Sequence, residues 1–375
     1  MANAGFHHAA VIEWNEDACE TFRENQRNHV HSVEEWPLHQ VDVREFNYES
    51  VGDVVVVSGG PPCQPFSLGG KHRGYMDRRD MFPEAVRAVR ELRPKAFIFE
   101  NVKGLMRETF ANYFEYIYLQ LTYPGMMRRK SESWKDHRSR LEQHHTSKGA
   151  RQEYKVVYRL LNAADYGVPQ RRERVFMVGF RADLGVEWSF PDGTCSEDQL
   201  LRAQWISGEY WDRHGIAKTR RPQVPDRLCA RLEKLKRGRL FEERASPWIT
   251  VRDAISDLPD PERFKKNNIP NHVFNPGARI YPGHTGSPLD EPAKTLKAGD
   301  HGVPGGENML ARLDGSVRYF TVREAARLQT FPDDYVFHGS WTETMRQLGN
   351  AVPVRLAEIV ASSVAQTLLP LEGSQ

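Results

Sequence analysis

The run Asp53-Val54-Val55-Val56-Val57-Ser58 constrains this chain more than any other feature. Four consecutive β-branched residues are stiff at χ1 and suit a pleated surface. The run is short and ends in Gly59-Gly60-Pro61-Pro62, so it reads as a fully buried strand. Such strands belong to sheets covered by helices on both faces. The flanking sequence agrees. Residues 9–13 read as a strand and 15–26 as a helix capped by Asn15. Residues 80–92 read as a helix, 95–100 as a strand, and a further helix follows Gly104. Residues 154–161 and 174–180 are two more strands, with a Gly-Val-Pro turn between them. This alternation predicts an α/β fold built on a parallel, doubly wound sheet.

The pattern changes after Trp188. Residues 190–315 are rich in Pro, Gly, Arg and Asp, with weak periodicity, and read as a loop-heavy lobe. Regular pattern returns at Thr321, where Thr-Val-Arg-Glu forms a capping box. A last helix is expected over 354–368, with Leu356, Ile359, Val360 and Val364 on one face. The simplest architecture is one domain over 1–189, an inserted lobe over 190–315 and a return to the first domain over 316–375. A length of 375 residues suits that plan.

The bulk numbers exclude several classes. The four cysteines form no CxxC pair, and no histidine cluster has zinc-ligand spacing, so neither a disulfide framework nor a metal site is expected. The N-terminus lacks a signal-peptide pattern and no apolar run looks long enough to span a bilayer, so the cytoplasm is the expected location. Net charge is only +2. Residues 201–245 nevertheless hold twelve Lys or Arg against six acidic residues, and 124–151 hold eight against three. Such stretches suit either solvated faces or phosphate contact.

Chemistry is expected at the carboxyl ends of the strands. The loop Ser58-Gly59-Gly60-Pro61-Pro62-Cys63-Gln64-Pro65-Phe66-Ser67 follows the β-branched run directly. Its glycines and prolines make a rigid loop able to present the Cys63 thiol; the plainer alternative is a stiff turn with an incidental cysteine. Glu100-Asn101-Val102 ends the next strand. A carboxylate there is costly unless it is paired or functional, and burial would raise its pKa and suit it to protonate a ring nitrogen. Gln170-Arg171-Arg172-Glu173-Arg174 and Gln347-Leu348-Gly349-Asn350-Ala351-Val352-Pro353, each taken alone, read as an exposed charge run and a helix start.

In this order, with Arg-Glu-Ala-Ala-Arg-Leu-Gln-Thr-Phe-Pro at 323–332, these segments resemble the cytosine-5 DNA methyltransferase family. The resemblance covers most of the chain outside roughly 190–290. It implies a Rossmann-like methyltransferase sheet and methyl transfer from S-adenosyl-L-methionine to carbon 5 of cytosine in double-stranded DNA. The thiolate matching Cys63 adds to carbon 6 of a flipped-out base, and the carboxyl matching Glu100 engages ring nitrogen 3. Carbon 5 then takes the methyl group, and its proton and the enzyme thiol leave. The residues matching Arg172 and Arg174 hold the base and its backbone and help keep the thiol ionised. Glu13, Trp14, Asp42, Pro62, Met81, Asn350 and Ala351 match cofactor-binding positions. Gln64, Ser67, Asn101, Thr295 and Leu296 are the expected DNA contacts. The lobe over 190–315 would recognise the target, with Pro292 to Gly299 and Gly302, Gly305 and Gly306 beside the duplex. A bacterial restriction–modification role, with a cognate endonuclease as functional partner, is the expected setting.

One departure from the family pattern stands out. The family opens with a strand and a Phe-x-Gly-x-Gly loop around the methionine end of the cofactor, whereas Gly5 is the only glycine in the first fifty residues here. Met1 as an internal start, or a separate chain supplying that strand, is therefore expected. An RNA cytosine-5 methyltransferase and a truncated, non-catalytic DNA-binding relative are the alternative readings.

Overall fold

The computed structural model describes residues 1–31, 33–62, 80–237, 245–264, 268–298 and 308–372. Cys63, Gln64 and Ser67, and the glycines at 299, 302, 305 and 306, lie outside the described residues. The chain divides into two compact units. Unit 1 comprises Met1–Leu161, Glu173–Pro191 and Glu358–Gln375; unit 2 comprises Asn162–Arg172 and Asp192–Ala357. The return to unit 1 therefore falls at Glu358, not near 316.

Unit 1 begins with β1 (Val11–Glu13), α1 (Glu16–Arg27) and β2 (Leu38–Gln40). Asn15 caps α1 as expected, its side chain accepting from Ala18 N at 2.9 Å. Then come β3 (Val56–Gly59), α2 (Phe82–Leu92), β4 (Ala96–Val102), α3 (Ala111–Thr122), α4 (Trp134–Thr146), β5 (Tyr154–Asn162) and β6 (Glu173–Arg181). A four-stranded sheet has the order β3-β4-β6-β5, and β1 and β2 form a separate parallel pair. β3 and β4 are parallel, but β4 and β6 are antiparallel, so the sheet is mixed and not wholly parallel. The short connection 163–172 between β5 and β6 has no room for a crossover helix, which a parallel return requires.

β4 is the spine of this unit, with Ala96 to Asn101 all buried. Its Phe97 and Phe99 stack on each other and join a core built with Phe82, Val89, Ile117, Leu121, Leu141, Tyr154 and Met177. Opposite Phe97, β6 carries Gly179. A Cβ there would lie 2.3 Å from the Phe97 ring, so only glycine allows this approach.

β3 contradicts the expectation of full burial. Val54, Val56 and Val57 are only half-buried, and Val55, Ser58 and Gly59 are exposed. The cause is its edge position. Ala96 N donates to Val55 O, and in the parallel ladder Val55, Val57 and Gly59 turn their backbone groups to β4. Val56 and Ser58 turn theirs away, where no strand pairs with them among the described residues. β1 repeats the pattern. Val11 and Glu13 bond the β2 segment, through Val11 N to Pro37 O and Val41 N to Glu13 O, and Ile12 faces outward. Ile12 and Val57 nevertheless pack against one apolar cluster around Phe46, Tyr48 and Ala88.

Unit 2 is more helical than its composition suggested. It holds β7 (Cys195–Ser196), α5 (Glu197–Trp205), α6 (Glu209–Arg213), α7 (Asp226–Arg237), β8 (Ser246–Pro247) and α8 (Val251–Ile255). β9 (Ser287–Pro288), β10 (Met309–Ala311) and β11 (Val317–Tyr319) follow, then α9 (Val322–Leu328) and α10 (Trp341–Asn350). Ser196 caps α5 and Thr250 closes a capping box on α8, local signals that the weak periodicity hid. The expected box at Thr321 and Glu324 is present on α9. Buried bonds tie α9 to 270–272: Arg323 donates to Pro270 O, and His272 bonds the Thr321 hydroxyl. That packing is why 316–357 groups with unit 2.

The last helix, α11, runs Val354–Glu372. By length and composition Trp341–Pro370 is apolar enough to cross a bilayer, contrary to expectation. Leu348, Leu356, Val360, Ala361, Val364 and Leu368 are however buried within the fold, which is the signature of core packing.

Candidate active site

In unit 1 the ends of β3 and β4 bring several of the singled-out residues together. Glu100 sits near the end of β4 and is 9% exposed. Arg174, at the start of β6, reaches it across the antiparallel ladder with Nε at 2.7 Å from Oε1. Burial lowers the Arg174 pKa, and the Glu100 charge opposes that shift. A buried pair of this kind holds a carboxylate in a fixed direction; loss of either partner leaves a costly unpaired charge.

Asn101 joins β4 to the end of β3. Its Nδ2 donates to Pro61 O at 2.8 Å, and its Oδ1 accepts from Val102 N. Pro62 O accepts from Met81 N at 3.0 Å. Gly60 has its Cβ position 3.1 Å from Glu100 Oε2, so the missing side chain lets the carboxylate lie against the loop backbone. Pro61 and Pro62 are thus bonded to β4 and to the start of α2, immediately before Cys63. The Asn101–Pro61 bond was not foreseen; Asn directly after Glu100 was its only signal.

At the end of β1, Glu13 Oε1 accepts from both Trp14 N and Asn15 N, at 2.8 and 2.7 Å. The carboxylate is thereby fixed at the end of β1. The Trp14 indole is 71% exposed, an open stacking surface. These two residues fit the ribose and adenine of an adenosine group. Asp42 fits less directly, because its carboxylate takes the Arg44 guanidinium and the Arg44 N–H. The side-chain bond from Arg44 is the main reason its pKa falls to about 2.

In unit 2, Arg172 is fully buried, and its guanidinium donates to Leu296 O, Gly349 O and Ala351 O at 3.1, 2.7 and 2.9 Å. Thr295 Oγ1 donates to Arg171 O at 2.7 Å, and Leu296 is buried. Asn350 is exposed at the end of α10, and Ala351 follows it half-buried. Gln170, quoted above only as the first residue of its motif, and Asn308, which escaped the sequence analysis, are both buried polar groups bonded to the backbone of 296–297. No local pattern marks Asn308.

The profile of the C-5 cytosine-specific DNA methylase family matches residues 1–125 and 134–366. The Type II methyltransferase M.NgoMIV of Neisseria gonorrhoeae is 29% identical over 371 residues, covering 98% of this chain and 93% of that protein. M.AplI of Arthrospira platensis is 30% identical over 324 residues, covering 84% of this chain and 69% of its own length. Among solved structures, a protein of an Escherichia coli prophage described as a DNA modification methyltransferase aligns with a TM-score of 0.56 at 20% identity, over 98% of this chain and 94% of that one. The Dnmt2 methyltransferase of Schizosaccharomyces pombe aligns at 0.52 and 16% identity, over 99% and 94%. At these identities the two structures speak for the fold, that of S-adenosylmethionine-dependent methyltransferases. With the family profile spanning both units and the β4 carboxylate paired at the strand end, the chain belongs to the C-5 cytosine-specific DNA methylases, enzymes that methylate cytosine in DNA with S-adenosylmethionine as the methyl donor.

Proposed function

We propose that this enzyme methylates cytosine within a specific DNA sequence as the modification half of a bacterial restriction–modification system, in the cytoplasm, with Cys63 as nucleophile. The observation that carries the reading is the Glu100–Arg174 pair beside the Asn101–Pro61 bond. One anchors the carboxyl that engages the target ring; the other fixes the backbone two residues before the thiol. Cys63 adds to ring carbon 6 while Glu100 offsets charge at nitrogen 3. Carbon 5 takes the methyl group from the cofactor, and loss of its proton expels the thiolate. Gln64 and Ser67 are the DNA contacts next to Cys63 in sequence. Glu13, Trp14, Asp42, Pro62 and Met81 are the cofactor-binding residues of unit 1, and Asn350 and Ala351 are those of unit 2. Arg172, with three backbone carbonyls around its guanidinium, acts by holding Leu296 and 349–351 in place. Unit 2 reads the DNA sequence, through Thr295, Leu296 and the segment 292–306. The Type II methyltransferases among its relatives support the restriction–modification setting.

The open edges of β1 and β3 support one further partner. An extended, apolar segment ending in a glycine-rich turn, supplied by a separate chain, pairs with Ile12 on one side and with Val56 and Ser58 on the other. That turn brings backbone close to the methionine end of the cofactor.

The test is incubation with labelled S-adenosylmethionine and unmethylated DNA, with and without such a segment, followed by mapping of modified cytosines. A duplex carrying 5-fluorocytosine at the mapped site traps the adduct on Cys63. An adduct on Cys19, Cys195 or Cys229, or methylated RNA with untouched DNA, overturns the reading.

A further inference from the structure

The backbone of 295–298 is held from three directions, all within unit 2. Arg172 takes Leu296 O, and Gln170 Oε1 receives Leu296 N at 3.4 Å. Asn308 takes both backbone groups of the next residue. Its Oδ1 accepts from Lys297 N and its Nδ2 donates to Lys297 O, each at 3.1 Å. The third side is Gly349. A Cβ there would stand 2.2 Å from Ala298 N and 2.5 Å from Lys297 C, so α10 touches this backbone directly.

We propose that Asn308 is a positioning residue for DNA sequence discrimination, acting through the backbone of Lys297 and opposed by Gly349. The inference rests on the reading of 292–306 as the DNA-facing segment. Asn308 is 1% exposed, and one residue takes both its amide donor and its acceptor. An asparagine used in this way imitates a neighbouring strand, pairing with one residue and fixing its φ and ψ. Asn308 is itself anchored, because its carbonyl accepts from Phe320 N and β10 begins one residue later against β11. Thr295 to Ala298 are thereby tied to a sheet. A segment that reads base edges has to be held to about half an ångström, and a loop left to itself is not. Arg172, Asn308 and Gly349 each act on a different part of this backbone: Leu296 O, the Lys297 amide and carbonyl, and Ala298 N.

The experiment uses the full chain and selects bound duplexes from a randomised pool, comparing the preferred site with its single-mismatch variants. Asn308→Ala is expected to lower that discrimination about tenfold, the scale of one lost base contact. Asn308→Asp keeps the acceptor for Lys297 N–H, loses the donor to Lys297 O, and falls between. Gly349→Ala displaces the same backbone from the opposite side and produces the same loss by an independent route. Thermal midpoints are measured in parallel. Unaltered discrimination by the folded fraction of all three variants overturns the proposal. If Thr295→Ala does alter discrimination in that case, only the Asn308 assignment falls. If Thr295→Ala is also silent, the DNA-facing reading of 292–306 falls with it.

Discussion

β3 and β4 lie side by side and have opposite fates. β3 carries the more β-branched sequence, yet Val55 is 36% exposed, while the aromatic-rich β4 buries six residues in succession. The difference is pairing. β4 has β3 on one side and β6 on the other, with Phe97 seated over Gly179. Among the described residues, β3 has a strand neighbour on one side only. Strand propensity reports fitness for a pleated surface; burial is decided by what covers that surface.

The strongest way to break this comparison is at the chemistry β4 carries. Glu100→Gln is expected to lower turnover by about 10²–10⁴-fold, the usual range for a lost acid–base group. Single-turnover rates on the mapped site measure it, and a loss under tenfold would return Glu100 to a purely structural role. Stability is next. Phe97→Ala removes a fully buried ring and is expected to cost about 3–5 kcal/mol. Val55→Thr on the open edge is expected to stay within about 0.5 kcal/mol. Chemical denaturation of both variants tests the contrast, and equal costs would mean that β3 is covered after all.

Hydrogen exchange sharpens the comparison inside one strand. The Val57 and Gly59 amides face β4 and should exchange slowly, whereas the Val56 and Ser58 amides face outward and should exchange quickly. Slow exchange at all four without an added segment would show the edge already paired. The smallest effect concerns the layer over β4. His137 on α4 is buried between the Tyr116 hydroxyl and Met126 O, with Arg128, Glu132 and Arg140 nearby. Burial lowers its pKa below the free value of about 6.5. The unfolded chain therefore takes up this proton first, and the stabilisation present above that pH is lost as pH falls through it. His137→Gln should flatten the acid side of the stability profile; an unchanged slope would assign the acid lability to another group.

Local signals were legible in the sequence. Asn15 and Thr321 announce helix starts because a cap acts within a few residues of itself. Gly-Pro and Glu-Asn mark the ends of two strands for the same reason. The edge position of β3 was not legible in its four valines, because exposure depends on a partner strand; only the absence of the family's opening strand pointed to it. α7 was also missed, since Leu232 is its only buried residue and one position sets no period. Asn308 acts on Lys297 through a fold-specific approach that leaves no mark on either residue's neighbours. The Arg44 bond to Asp42 is local, but nothing in the pair shows whether the carboxylate serves a ligand or the arginine.

The division of the chain bears on synthesis. Unit 1 draws on the first residues and on the last: Asn3 lies 3.5 Å from Glu358, and Trp188 donates to Ser363 at 3.1 Å. A ribosome completes this unit only after Glu358 and the residues of α11 that follow it have been made. Until then β1 and β3 present their outward backbone, and the side chains that α11 buries have no cover. Unit 2 can close once Ala357 has emerged, before the rest of α11 is made. The nascent chain therefore carries unit 1 incomplete through the synthesis of all of unit 2, the condition in which exposed strand edges recruit chaperones or each other.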